Sequence, residues 1–196
     1  MDKIRIFFAG VGGQGTLTAT NLLSLMALDK NIPVTSGEIH GMAQRGGIVE
    51  STLLLGGYLS PKIEHGEADV LLGFEPLETL RALVYLKKGG IIIWNQDPTY
   101  PVGVSTGMEK YPDMEYIEQR ITECARSHYK LPCIKLAQQA GTTKCANTVL
   151  LGAFCSIEDS PFLFNDLKNG IKKYLSPKIH EINLRAAQLG KEAIIS

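Results

Sequence analysis

The sequence predicts an α/β protein: a three-layer arrangement with a mostly parallel sheet between helices. Three observations carry that expectation. Ile4, Ile6, Phe7, Phe8 and Ala9 form a nearly continuous apolar run that suits a strand buried on both faces, and it breaks at Gly10-Val11-Gly12-Gly13-Gln14-Gly15 into an amphipathic stretch. Two further short apolar runs, Asp69–Gly73 and Ile91–Asn95, alternate with helical patterns. No internal repeat, low-complexity tract or linker divides the 196 residues, so one domain over 1–196 is expected, long enough to bury a substantial core.

The elements follow in order. Strand, glycine turn and helix meet within Lys3–Leu17, and Gly10, Gly12 and Gly15 have the G-x-G-x-x-G spacing of dinucleotide-binding turns. Glycines there permit a sharp turn and leave bare N–H groups at the positive end of a helix, which suits an anion or a close-packed partner. The spacing alone equally describes a tight corner in which any side chain would clash. Thr16 is the expected N-cap, and Leu17, Leu22, Leu25, Met26 and Leu28 the buried face of the helix. Ile32–Thr35 reads as a short strand, Ser36–Gly47 as a glycine-rich polar loop, and Ile48–Leu55 as a strand.

That loop gathers a carboxylate, an imidazole, an amide and a guanidinium in Glu38, His40, Gln44 and Arg45, and closes on Gly46-Gly47. One reading is a polar cluster at the carboxyl edge of the sheet facing a ligand or partner. The other is a loop satisfied internally, Arg45 paired to Glu38. A catalytic histidine is not expected, because no Ser or Cys nucleophile stands beside His40.

Tyr58–Ile63 reads as a partner strand or an extended return, and Glu64–Ala68 as a polar link. After the strand at Asp69–Gly73, Pro76 opens a helix whose buried side is Leu77, Leu80, Leu83 and Val84, with Glu75 at the helix N-terminus. Trp94 is expected in the core. Gln96–Met114 is a long connection, Tyr116–His128 a polar amphipathic helix, and Cys133–Leu136 a last short strand. Ala146–Ile157 is apolar nearly all round, which marks a helix buried in the core or in a subunit interface. Asn147 is placed to reach a backbone group of the glycine turn. Helices over about Phe162–Tyr174 and from Ser176-Pro177 to about Gly190 close the chain.

Composition bounds the function. Lys plus Arg and Asp plus Glu both number 20, which argues against a nucleic-acid surface and leaves little self-repulsion to oppose association with other subunits or a second copy. No signal-peptide pattern or membrane-spanning run is seen, so a cytoplasmic protein is expected. Cys124, Cys133, Cys145 and Cys155 include no C-x-x-C pair, so neither a zinc site nor a ferredoxin-type cluster is expected and reduced thiols are.

The stretches GVGGQGTLTATNLLS, GEIHGMAQRGGIVES, GEADVLLGFEPLETLRAL and NTVLLGAF resemble the small gamma-type subunits of 2-oxoacid:ferredoxin oxidoreductases, in particular the indolepyruvate-type beta subunit, over most of the chain. The resemblance implies the fold of the gamma domain of pyruvate:ferredoxin oxidoreductase. It also implies a heteromeric enzyme that oxidatively decarboxylates an aryl pyruvate with coenzyme A and passes two electrons to ferredoxin. Thiamine diphosphate and the iron–sulfur clusters are then borne by a larger partner, and the isolated chain is inactive. Carried over residue by residue, Gly10, Gly12, Gly13, Gln14, Gly15 and Thr16 form the turn at the sheet edge. Glu38, His40, Gln44, Arg45, Gly46 and Gly47 form the loop beside the partner's active site. Gly37 and Ile48 depart from the family's commoner residues and leave the 2-oxoacid open. A stand-alone Rossmann-type NAD(P)-binding oxidoreductase is the alternative, favoured by the fingerprint and by Glu38 about twenty residues onward.

Overall fold

The computed structural model describes residues 3–40, 47–100, 104 and 110–194. The apolar runs become strands: β1 (Ile4–Val11), β2 (Val34–His40), β3 (Ile48–Leu55), β4 (Ala68–Gly73), β5 (Leu86–Asn95) and β6 (Ser127–Leu131). They form one sheet in the order β2-β3-β1-β4-β5-β6. The pairs β1/β4, β4/β5 and β5/β6 are parallel, while β3 is antiparallel to both of its neighbours. The sheet is therefore mostly parallel, with one reversed strand lodged between β1 and β2.

Strand alternation divides the core into two. Ile6 and Phe8 of β1, Leu53 and Leu55 of β3, Val70 and Leu72 of β4, and Ile91 and Ile93 of β5 point to one face. Phe7, Ala9, Leu54, Leu71, Ile92 and Trp94 point to the other. Two covered faces explain why these strands read as unbroken apolar runs rather than alternating ones. The first face is covered by α1 (Thr16–Asp29) and by the C-terminal helices α4 (Cys133–Ala140), α5 (Ala146–Phe154), α6 (Phe164–Tyr174) and α7 (His180–Glu192). The second is covered by α2 (Pro76–Ala82), a 3-10 turn at Leu83–Tyr85 and α3 (Met114–Cys124). The three-layer expectation holds.

Several elements differ from the sequence reading, each for a packing reason. In α1 the buried side is Ala19, Leu22, Leu23, Met26 and Ala27, and Leu28 is exposed, because the alanines let the helix sit close on β3 and β1. Thr16 is the first helical residue, not the cap; Gly15 is the N-cap, left-handed at φ 76°, and no side chain caps α1. β2 runs on through His40, so Glu38 and His40 belong to a strand rather than to the loop. Val84 is exposed because the helix tightens into the 3-10 turn. Of the two readings of Tyr58–Ile63, the extended return is the one present; Thr35 Oγ1 donates to Tyr58 O at 2.6 Å and Thr52 Oγ1 to Pro61 O at 2.7 Å. The helix read through His128 stops at Cys124, and Ser127–Leu131 is β6. Cys133–Leu136, read as a strand, opens α4.

The apolar helix α5 lies in the core, with Asn147 to Phe154 all buried. It packs backbone to backbone on α7: a Cβ at Gly152 would lie 2.1 Å from Ala187 O, and one at Gly190 1.9 Å from Val149 O. Trp94 is fully buried, as expected. Cys133, Cys145 and Cys155 are buried and Cys124 partly so, all four as free thiols. Burial pushes the Cys133 and Cys155 thiols up, so they stay protonated and unreactive near neutrality. Among the described residues no helix is long and apolar enough to cross a membrane.

Candidate functional site

The carboxyl ends of β1, β2, β4, β5 and β6 share one rim, and the chain winds in opposite directions from β1 to β2 and from β4 to β5. The crevice at such a reversal is where open α/β sheets place ligands. The glycine turn stands in it. Gln14 folds its side chain back so that Oε1 accepts Val11 N at 3.0 Å, while Gln14 N donates to Val11 O at 3.2 Å. Gly10 makes room for this, since a Cβ there would lie 2.9 Å from both Gln14 Oε1 and Phe74 Cβ. Gly15 does the same for Asn147, whose Nδ2 donates to Gly15 O at 3.2 Å and would meet a Cβ at 2.6 Å. Two of the three fingerprint glycines thus admit this chain's own side chains. Asn147 reaches the turn as its position predicted. The Thr16 hydroxyl faces Gly10, buried and without a hydrogen-bond partner among the described residues.

The stem of the β2–β3 connection meets this turn directly: Gly12 N donates to Gly47 O at 2.9 Å. Gln44, Arg45 and Gly46 lie outside the described residues. Glu38 sits two strands away, on edge strand β2, exposed and bordering a different cavity on the opposite sheet face from α1. His40 ends β2 at the rim, paired in register with Val49. The structure therefore brings Gly12 and Gly47 together and sets Glu38 apart.

Beside the turn opens a cavity of about 230 Å³ lined by Gly13, Gln14, Phe74, Asn95, Thr99, Lys144 and Asn147. Gly13, Lys144 and Asn147 also line a second, more apolar cavity of about 430 Å³ between α1, α5 and α7. The uncapped first turn of α1 and the ammonium of Lys144 give the junction a positive character, suited to a phosphate or carboxylate. Lys144 carried no signal in the sequence; it reaches the rim from the short turn between α4 and α5, the latter packed on β5.

Glu75, between β4 and α2, holds the far side of the cleft. It is 1% exposed, and its carboxylate accepts from Glu78 N at 3.0 Å, Thr99 N at 3.1 Å and the Tyr111 hydroxyl at 2.6 Å. The helix-capping role expected of it is present, and it also gathers both described ends of the long connection. Burial and the Glu75 carboxylate raise the Tyr111 phenol well above its ordinary value. Gln14 Nε2 donates to Thr99 Oγ1 at 3.2 Å, which links this hub to the glycine turn. Asn95 fixes the third side: Nδ2 donates to Phe74 O at 3.1 Å and Oδ1 accepts Cys133 N at 3.1 Å.

Glu78 neighbours this hub, 4% exposed and paired with Arg81 at 2.7 Å. Burial, against the attraction of Arg81, raises its carboxyl above 4.5. A raised acid binds its proton more tightly folded than unfolded, so the chain gains stability as pH falls through the raised value toward 4.5. Glu78→Gln is expected to lose that gain while changing stability at pH 7 by no more than about 1 kcal/mol, because relief from burial offsets the lost ion pair. Urea midpoints of the two proteins at pH 7 and pH 5 measure both effects.

An open α/β sheet with a glycine turn at its strand-order reversal is the class of fold in which ligands are bound at that rim. Residues 5–193 match the pyruvate ferredoxin/flavodoxin oxidoreductase family, and the chain belongs to that family. It is a small, gamma-type subunit of the 2-oxoacid:ferredoxin oxidoreductases. The indolepyruvate oxidoreductase subunit IorB of Pyrococcus horikoshii is 39% identical over 98% of this chain and 96% of that protein. The pyruvate oxidoreductase subunit PORC of Thermotoga maritima has the same fold, with a TM-score of 0.74 at 19% identity over 98% of this chain and 97% of that one. A 2-oxoglutarate:ferredoxin oxidoreductase from Magnetococcus marinus, solved with 2-oxoglutarate, coenzyme A and succinyl-CoA bound, matches 98% of this chain with 31% of its own, with a TM-score of 0.70 at 18% identity.

The dinucleotide alternative is not supported. A ribose-binding acid must end the strand beside β1. Here β3 intervenes, and Glu38 is displaced by two strand spacings, roughly 10 Å.

Proposed function

We infer that this chain is the subunit of an aryl-pyruvate, indolepyruvate-type, ferredoxin oxidoreductase that completes the active site of a larger thiamine diphosphate- and iron–sulfur-bearing partner. The observation that carries the reading is the Gly12–Gly47 hydrogen bond, which fixes the glycine turn and the stem of the GMAQRGG connection at the same rim. The near full-length likeness to IorB supports the choice of substrate class.

Coenzyme A is the proposed cosubstrate, as acyl acceptor, and the cleft residues fit its anionic portion: Lys144 and the first turn of α1 present positive charge to one space. In this reading the chain's own residues bind and orient. The rim excludes water, Lys144 and the α1 amides hold negative charge, and the Arg45 guanidinium contributes to binding the same anion. Ferredoxin takes its electrons from the partner, and the complex works in the cytoplasm.

Co-expression with a thiamine-binding, cluster-bearing partner should give coenzyme A-dependent ferredoxin reduction with indolepyruvate in preference to pyruvate or 2-oxoglutarate. The isolated chain should give none. Preference for a non-aromatic 2-oxoacid would overturn the substrate assignment. In the same complex Arg45→Ala is expected to lower kcat/KM about tenfold or more without moving the melting temperature of this subunit. Unchanged kcat/KM would remove Arg45 from the site.

A further inference from the structure

We propose that the cavity beneath the β2–β3 hairpin is a binding site for a small organic cation, a primary ammonium carried on an apolar body, with Glu50 as its counter-ion. The cavity holds about 320 Å³ and lies on the sheet face opposite α1, closed over by the extended return at 58–63. That volume falls within the range of small-molecule sites. Its walls are apolar: Phe7 and Ile63 are buried, and Tyr85 stacks on Phe7 with ring centroids 4.2 Å apart. His65 packs edge-on against Tyr85 at 5.2 Å.

Glu50 supplies the recognition. It sits opposite Ala9 in the β1–β3 register and opposite Ile39 in the β2–β3 register, so it projects to the Phe7 face and lines the cavity. Its carboxylate has no hydrogen-bond or ion-pair partner among the described residues, although burial raises its pKa above 4.5. A half-buried carboxylate that no neighbour neutralises costs stability and calls for a cation from outside. The lysine that lines the cavity does not answer that call: Lys62 is paired with Glu64 at 2.7 Å, and both are well exposed.

The chemistry of the walls selects among cations. A divalent metal needs several convergent oxygen ligands, and no three metal-ligating side chains meet here among the described residues. An anion would meet the Glu50 carboxylate on the cavity wall. An ammonium on an aromatic or branched aliphatic body satisfies Glu50 with one charged hydrogen bond and spends the rest of its surface on Phe7, Ile63 and Tyr85.

Titration calorimetry of the full chain with 2-phenylethylammonium tests the site. Saturable binding is expected below about 1 mM. The neutral 2-phenylethanol and the anionic 3-phenylpropionate are expected to bind at least about tenfold more weakly, and Glu50→Gln to weaken the amine by a similar factor. The comparison of amine with alcohol uses the unmodified protein, so it decides the matter even where the variant folds poorly. Equal affinity for amine and alcohol, absence of saturable heat up to about 10 mM amine, or a folded Glu50→Gln chain that binds the amine unchanged would each overturn the proposal.

Discussion

Gly152→Ala is expected to destabilise the chain by about 3 kcal/mol or more, read as a lowered urea midpoint. The added methyl would sit 2.1 Å from Ala187 O, and its nearest neighbours there are all backbone atoms of α7. No side chain can swing aside, so the two helices must part by about 1 Å to restore van der Waals distance. Separation would loosen the roof of the cleft as well, since Asn147 leaves the same helix to hold Gly15. Gly190→Ala reverses the roles, its methyl falling 1.9 Å from Val149 O, and a similar loss is expected. A variant with an unchanged midpoint would show that α5 and α7 do not meet backbone to backbone.

Glu75→Ala carries the second large effect. It strips the partner from three donors at once: Glu78 N, Thr99 N and the Tyr111 hydroxyl. Leaving buried donors unpaired costs about 1–3 kcal/mol each, less whatever water enters to replace the carboxylate, so a net loss of about 3 kcal/mol is expected. Tyr111→Phe removes two bonds, the one donated to Glu75 and the one accepted from Leu77 N at 3.1 Å, and should cost about 2 kcal/mol. Hydrogen exchange distinguishes this from uniform destabilisation: the Thr99 and Glu78 amides should lose protection in Glu75→Ala before the amides of β1 and β4 do. Retained protection at Thr99 would mean that Glu75 does not anchor the connection.

The parts of the fold that the sequence declared are those whose local pattern agrees with their tertiary setting. Ile4–Ala9, Asp69–Gly73 and Ile91–Asn95 are apolar on both faces because both faces are covered. The helix at Ala146 is apolar all round because it is core. The misread pieces are held by partners far along the chain. Cys-Ile-Lys-Leu looks like a strand, yet the N–H of Cys133 is taken by Asn95 Oδ1 and that of Ile134 by Asp97 Oδ2 at 2.7 Å, which starts a helix from residues nearly forty positions back. β6 is an edge strand with one ladder, so its pattern, Ser-His-Tyr-Lys-Leu, resembles a helix end. The position of β3 between β1 and β2 leaves no trace in either strand's composition, although it decides where Glu38 lies. The site was visible as a turn and a connection at one rim. The reach of Asn147 to the glycine turn was anticipated; the Lys144 cation and the threefold grip of Glu75 depend on elements that meet only after folding.

The reversed strand has a further consequence. Because β2 and β3 run antiparallel as neighbours, the segment joining them leaves and re-enters the sheet at one edge, instead of crossing a face as a helix would. Among the described residues its stem is held by the backbone bond from Gly12 N to Gly47 O. Related enzymes could therefore exchange this segment wholesale to suit different reaction partners, while the rest of the scaffold drifts at the slower pace that a packed interior imposes.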